Sequence, residues 1–379
     1  MGSDMMFRFI ALSILTLLSP VLLSCYENTT EDKETAINNV NERSTGIPNL
    51  ALDADITEKV ITGTSITPTT TVQNVERITE TTKDYPEKIP ALEFTRSSTL
   101  CQDNVGPDCS ALRLGDDYLS TSGPAKGYLY SCNDKNPNAP GSIESKITWI
   151  NFVDNVWDFL KKPWLPDGAF RPEAGIYTET LSTEDHQINI SNLPVDGKIG
   201  DWPMTKYPTL TEIDQNPGIP SSSNSSFTYP VSPSYAPSPT CVSPGAIGVT
   251  KNGVVIYNAA DGRGEDAVAR EIVDIFGGHP ARTNYHYHFI PERLDNEYLS
   301  DGHSSIVGYI NDGFPIYGYK GEGGKEMSNY DLDECHGHAH GSLGYHYHAT
   351  IEYPYTVGCY KGASIELSSL TVSPQRGQQ

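Results

Sequence analysis

The sequence predicts a mainly β, sandwich-like domain with few short helices and an internal pseudo-twofold repeat, preceded by a disordered N-terminal tether. Three observations carry this. The 33 Gly and 27 Pro favour turns and short strands over a helical bundle. Lys146-Ile147-Thr148-Trp149-Ile150-Asn151-Phe152 alternates polar and large apolar residues as a half-buried strand does. Third, two stretches of the chain return at an offset of 60 residues.

Along the chain, Phe9 to Leu23 is an apolar run of about 15 residues, too short to span a bilayer and of the length of a signal-peptide core. It ends in Leu22-Leu23-Ser24-Cys25, which resembles the lipobox of bacterial lipoproteins. Residues 1–24 therefore read as a signal peptide, and Cys25 as the lipidated N-terminus that attaches the chain to a membrane. Residence in the cell envelope follows, at the outer membrane, in the periplasm or facing the surface. Residues 25–95 read as the tether: nine of the 21 residues from Thr62 to Thr82 are Thr, too few apolar groups to offset the entropy of ordering. Residues 96–370 form the expected β-rich domain. Within it, residues 216–244 read as a surface loop, because twelve of the twenty residues from Ser221 to Thr240 are Ser or Pro.

The chain has 26 Lys+Arg against 48 Asp+Glu, a formal charge of -22. Such a surface repels phosphate backbones, so nucleic acid is excluded as a general partner. The 22 Tyr, 10 Phe and 4 Trp supply material for a core. Setting Cys25 aside, six cysteines remain, an even number that suits disulfides in an exported chain. Cys335–Cys359 is the first expected pair, since it would staple the loop carrying the last histidines.

The repeat begins with a hairpin. Gly248-Val249-Thr250-Lys251-Asn252-Gly253-Val254-Val255-Ile256-Tyr257 returns as Gly308-Tyr309-Ile310-Asn311-Asp312-Gly313-Phe314-Pro315-Ile316-Tyr317. Asn-Gly and Asp-Gly between apolar runs are strong hairpin signals. Tyr285-His286-Tyr287-His288 returns as Tyr345-His346-Tyr347-His348, so the copies span about 246–288 and 306–348. Between hairpin and histidines, the first copy carries Val268, Ile272, Ile275 and Phe276 at helical spacing, which predicts a helix over 265–276 closed by Gly277-Gly278.

Nine of the ten histidines lie between His279 and His348; His186 stands apart and reads as a surface residue. In an extended segment residues i and i+2 share a face, so His286 and His288 project together, as do His346 and His348. His279, after Gly-Gly, and His338, in His-Gly-His, add a third imidazole to each pair. Three imidazoles on strands are a site for a transition metal, Cu or Zn. Two arrangements fit: one shared site, or one triad per copy, His279/His286/His288 and His338/His346/His348. His303, His336 and His340 are further ligands, supporting donors or surface groups. Asp301, Asp331 and Asp333 are candidates to orient ring N–H groups. Three functional readings follow: metal capture or buffering, a metal-dependent hydrolase or oxidoreductase with a three-His ion, or an adhesion or structural module. In the last, tyrosine hydroxyls and histidines of the duplicated motif satisfy one another in the core.

The two Tyr-His-Tyr-His motifs, Gly277-Gly278-His279-Pro280 and Leu332-Asp333-Glu334-Cys335 resemble the YHYH domain family over about Ala246 to Gly362, and more loosely from Gly127 onward. The resemblance implies an exported β-rich domain and implies no particular activity. Relatives often carry a Cys before Gly-Gly-His where Phe276 stands here, which leaves the pairing of Cys241 open.

Overall fold

The structure is a computed structural model and describes residues 107–168, 174–216 and 218–363, all within a unit that runs from Glu80 to Gln379. The apolar leader, Cys25 and the Thr-rich tether lie outside the described residues. Among the described residues no helix is long and apolar enough to cross a membrane.

The first strands are short: β1 (Leu112–Arg113), β2 (Leu119–Ser120), β3 (Leu129–Tyr130), β4 (Ile150–Asn151) and β5 (Val156–Trp157). The strand expected over 146–152 is thus cut to β4, with a single 3-10 turn at Glu144–Lys146 before it. Then follow β6 (Tyr177–Leu181), β7 (Asp185–Ile190), β8 (Ser225–Pro230) and β9 (Tyr235–Thr240). The Ser/Pro-rich stretch read as a loop therefore contains two strands. Its prolines are tolerated because β8 is the edge of the sheet β6-β7-β8 and β9 pairs only with β18 (Tyr360–Gly362).

The two copies build one eight-stranded sheet. Copy one supplies β10 (Ala246–Thr250), β11 (Val255–Tyr257), β12 (Gly278–Ala281) and β13 (Asn284–Tyr287). Copy two supplies β14 (Ile306–Ile310), β15 (Pro315–Tyr317), β16 (Gly337–His340) and β17 (Gly344–His348). The order β12-β13-β11-β10-β14-β15-β17-β16 is palindromic in repeat units. The pseudo-twofold axis passes between β10 and β14, where the equivalent residues Val249 and Tyr309 face each other, flanked by Gly248↔Ile310 and Thr250↔Gly308. Both glycines are required by this approach: a Cβ on Gly248 would stand 2.5 Å from the Tyr309 carbonyl oxygen, and one on Gly308 2.4 Å from that of Val249. The Asn-Gly and Asp-Gly hairpins form as expected, with Gly253 and Gly313 left-handed at φ 82° and 89°.

Strand alternation divides the side chains between two faces. Ile256, Ile310, Ile316 and the motif tyrosines Tyr285, Tyr287, Tyr345 and Tyr347 enter the main core, with Trp149, Trp157 and Trp164. Val249 and Val255 face the other way. There Ile188, Ile190, Phe227 and Tyr229 of β7 and β8 cover them, giving a local two-sheet sandwich over the pseudo-axis. Each fully buried side chain of this size contributes about 1.5–3 kcal/mol.

The helix expected over 265–276 does not form. Asp266 caps a single turn, Ala267–Arg270, by accepting from Ala269 N at 3.1 Å. Beyond it tertiary partners claim the backbone. Ile272 N donates to Asp214 Oδ2 (2.9 Å), Leu165 N donates to Val273 O, and Ile275 N donates to Leu165 O. The apolar spacing therefore serves an extended core segment. Cys335 pairs with Cys359 as expected, and Cys241, left open by the sequence, pairs with Cys132. Cys109 is also disulfide-bonded.

Candidate metal centres

Because β13 and β17 are parallel neighbours of β11 and β15, register fixes where each histidine points. His286 lies opposite Val255, and His279 pairs with His286 across β12. In copy two, His348 lies opposite Tyr317 and His338 pairs with His346. All six rings thus share the sheet face that carries Val249 and Val255 but gather in two separate groups. The arrangement of one shared site is overturned, since β11, β10, β14 and β15 stand between the histidine strands β13 and β17.

The motif tyrosines are satisfied on the opposite face, without histidine. Tyr285 donates to Asp274 (2.8 and 3.0 Å), Tyr345 to Asp333 (3.1 Å) and Tyr347 to Asp312 (2.5 Å). The Tyr287 hydroxyl accepts from Asn252 (3.1 Å) and Arg293 (2.9 Å). A mutual Tyr–His network, the alternative left open by the sequence, is therefore absent for the duplicated motif.

In the first group, the nitrogens of His279, His286 and His288 lie within 4.8 Å of one another. His286 Nδ1 faces the Asn284 carbonyl at 3.1 Å and His288 Nδ1 faces that of Asn258. A carbonyl only accepts, so each Nδ1 carries the proton, and in the neutral ring Nε2 is a bare lone pair. These two bare nitrogens point at each other across 3.0 Å. Neither nitrogen of the buried His279 makes a hydrogen bond. Its Nε2 lies 3.3 Å from Glu271 Oε2, poorly aligned for one.

The second group has four members, His303, His338, His346 and His348. The equivalent carbonyls recur: Gly344 O faces His346 Nδ1 (3.0 Å) and Gly318 O faces His348 Nδ1 (2.7 Å). His303 Nδ1 faces Ser304 O at 2.7 Å. The Nε2 atoms then converge, His303 to His346 at 3.2 Å, His338 to His346 at 3.1 Å and His338 to His348 at 3.2 Å. Imidazoles bound tetrahedrally at about 2.0–2.1 Å would have nitrogens about 3.3 Å apart. Tyr257 stacks on His286, centroids 3.9 Å apart, and its counterpart Tyr317 packs on His346 at 4.5 Å.

Protons do not resolve these contacts easily. Burial pushes the His288 ring down to about 4 and the His346 ring to about 3. It pushes His279, His286 and His348 well below the usual histidine range, with neighbouring histidines adding to the shift. His338, half-buried, moves the same way for the same reason.

Of the remaining histidines, His336 is buried and bonded to Thr350 Oγ1 at 2.9 Å, outside both groups. His340 stands at the rim of the second, its ring stacked parallel to His303 at 5.7 Å and its nitrogens 3.5–3.6 Å from Glu322 and Asp301. His186 is buried rather than on the surface, because β7 turns it inward against Tyr309, with Nε2 2.6 Å from Glu179. Asp331 and Asp333 do not orient imidazoles. Asp331 holds Ser328 and Lys325, and Asp333 braces the turn before His338 by accepting from Cys335 N, Gly337 N and Tyr345. Asp274 does the same in copy one.

Two residues that sequence reasoning did not place are Glu271, buried beside His279, and His303 as a full member of the second group. Burial raises the Glu271 carboxyl well above its usual range; Asp214 and Asp261 add to this and buried Lys162 opposes it. The first group opens on a cavity of about 440 Å³ bordered by Glu271, Asp261, Asn258 and all three histidines.

No curated protein and no solved structure matches the chain. A family model does. It takes in all of copy one and the hairpin of copy two, and stops short of His338, His346 and His348. Residues 226–328 match the model of the family described as YHYH protein.

Proposed function

We propose that the chain is a metal-binding protein of the cell envelope, holding one transition-metal ion, zinc(II) or copper(II), in each repeat and attached to a membrane through lipidated Cys25. The observation that carries the metal reading is a pair of bare Nε2 lone pairs facing each other in each histidine group, His286 and His288 at 3.0 Å and His303 and His346 at 3.2 Å. Lone pairs at that separation repel unless a cation sits between them. Burial disfavours a proton there, and a borderline-soft divalent ion suits neutral imidazole. The backbone carbonyls at Nδ1 of His286, His288, His303, His346 and His348 act as the outer partners that metal-bound imidazoles ordinarily have.

Elemental analysis of the full chain tests this. Two ions per chain are expected at pH 7. Burial holds the rings of the first group below the usual histidine range, so its ion should persist to lower pH than free histidine would hold one. Less than one ion per chain from metal-supplemented cells rejects the reading.

The anchor rests on the lipobox-like run, and the disulfides suit an oxidising compartment. Cys25→Ser should move the protein from the membrane to the soluble fraction; a variant that stays in the membrane fraction argues against lipidation.

One feature favours an enzymatic reading of the same chain, hydrolytic or oxidoreductive: the three-His group borders a cavity, as a centre with an exchangeable position does.

A further inference from the structure

We propose that the two centres have diverged: the second is closed by a fourth histidine, whereas the first keeps one coordination position open to the cavity and takes an uncharged donor molecule there. This rests on the metal reading above. The repeat supplies the comparison. His303, the fourth member of the second group, stands three residues before β14; at the 60-residue offset, three residues before β10, stands Ser243. The strands that follow are bulged at equivalent positions, Ala246/Gly248 and Ile306/Gly308, so the correspondence is structural as well as sequential.

Ser243 belongs to the rim of the first centre. Its carbonyl accepts from Asn258 Nδ2 at 3.1 Å, and the Asn258 carbonyl is the one that holds His288 Nδ1. Its hydroxyl is donated to Cys132 Sγ at 3.6 Å. The next residues, Pro244 and Gly245, border the 440 Å³ cavity. The cavity thus lies beside the position where copy two places its closing imidazole. Glu271 does not substitute for that imidazole: it lies 3.3 Å from His279 Nε2 and 3.9 Å from His288 Nε2, but outside the set of atoms within mutual reach of all three rings.

The lining sets the class of ligand. Asp134, Asp261 and Glu271 line the cavity with Asn133, Asn136 and Asn216, and among the described residues no lysine or arginine does. Phosphoesters and carboxylates meet Asp134 and Asp261 on entry, and buried Lys162, which donates to the Glu271 carbonyl, is not among the residues that line the cavity. A neutral molecule with an oxygen or nitrogen donor and hydrogen-bonding groups meets amides and acceptors. A cavity of this volume suits a small ligand.

The test uses the full chain loaded with cobalt(II), whose visible absorption reports coordination, with imidazole as a neutral donor and azide as an anionic one. Imidazole should perturb half of the cobalt absorption in the unsubstituted chain, none in Ser243→His and all in His303→Ser. Azide should bind at least tenfold more weakly than imidazole. A response from both centres, or from neither, in the unsubstituted chain overturns the proposal. So does a response that appears only in Glu271→Gln, which would make Glu271 the closing ligand. Tighter binding of azide overturns the charge selection. A chain that takes up no cobalt fails earlier, at the metal reading itself, and the metal count alone reveals it. Should Ser243→His fail to fold, the His303→Ser response decides.

Discussion

Asp274→Ala is expected to cost at least about 3–5 kcal/mol of stability, the range for breaking a buried charged hydrogen-bond hub. The carboxylate is fully buried. It accepts from Gly200 N (2.7 Å), Trp202 Nε1 (3.1 Å), Phe276 N (2.9 Å), Gly278 N (3.2 Å) and Tyr285 (2.8 and 3.0 Å). Alanine leaves five donors, four of them buried, without their acceptor, and the site is too enclosed for water to replace it freely. For a domain of this size the loss corresponds to a melting point lower by on the order of 10 °C. Asp274→Asn keeps the volume and one acceptor oxygen and should cost less. The effect reaches the first centre, because Gly278 sets the strand that presents His279 and Tyr285 anchors the strand that presents His286. Asp333→Ala, the counterpart, should cost less than Asp274→Ala. It is a quarter exposed on its side chain and braces fewer buried donors. Thermal denaturation of the three variants decides. A loss under about 1 kcal/mol in Asp274→Ala would mean that the brace is dispensable.

What the sequence made legible follows from how local each feature is. The offset of 60 and the Asn-Gly and Asp-Gly turns are matters of adjacent residues, and the palindromic sheet follows from them. The alternation of Tyr and His has period two, so the division of the four motif histidines from the four motif tyrosines between opposite faces was readable without coordinates. His303 was readable only as one of three spare histidines, a ligand, a supporting donor or a surface group, because the repeat was the guide and its partner position holds Ser243. Glu271 lay inside a stretch whose apolar spacing matched a helix. Only the contacts of Leu165 and Asp214 show that the chain there is extended. The two aspartate braces had left a trace: Asp274 and Asp333 each stand five residues before the Gly-flanked histidine, His279 and His338. The trace carries no chemistry until the tyrosine hydroxyls and turn amides are seen to converge on it.

Replacing His346 with alanine should lower the metal content from two ions per chain to one. His346 is the hub of the four-His group: its Nε2 is 3.2 Å from that of His303 and 3.1 Å from that of His338, and the ring is fully buried. Removing it leaves only the Nε2 atoms of His338 and His348 in contact, whereas His303→Ser leaves the triad that matches the first centre, so the loss of affinity exceeds the 10–100-fold that follows when only a supporting hydrogen bond is removed. The ion that remains is the one held by His279, His286 and His288, so His286→Ala should likewise leave one ion and the double variant none. His336→Ala and His186→Ala, which alter buried histidines outside both groups, should leave two. Stability distinguishes ligation from a structural role. Without metal, facing bare nitrogens oppose folding, so deleting one ring relieves repulsion as it opens a cavity. With metal, the same deletion forfeits binding free energy that stabilises only the folded chain. The metal-loaded protein should therefore lose more stability on His346→Ala than the metal-free protein does. Equal losses in both states would assign the histidines to the core and leave the lone-pair geometry without an ion to explain it.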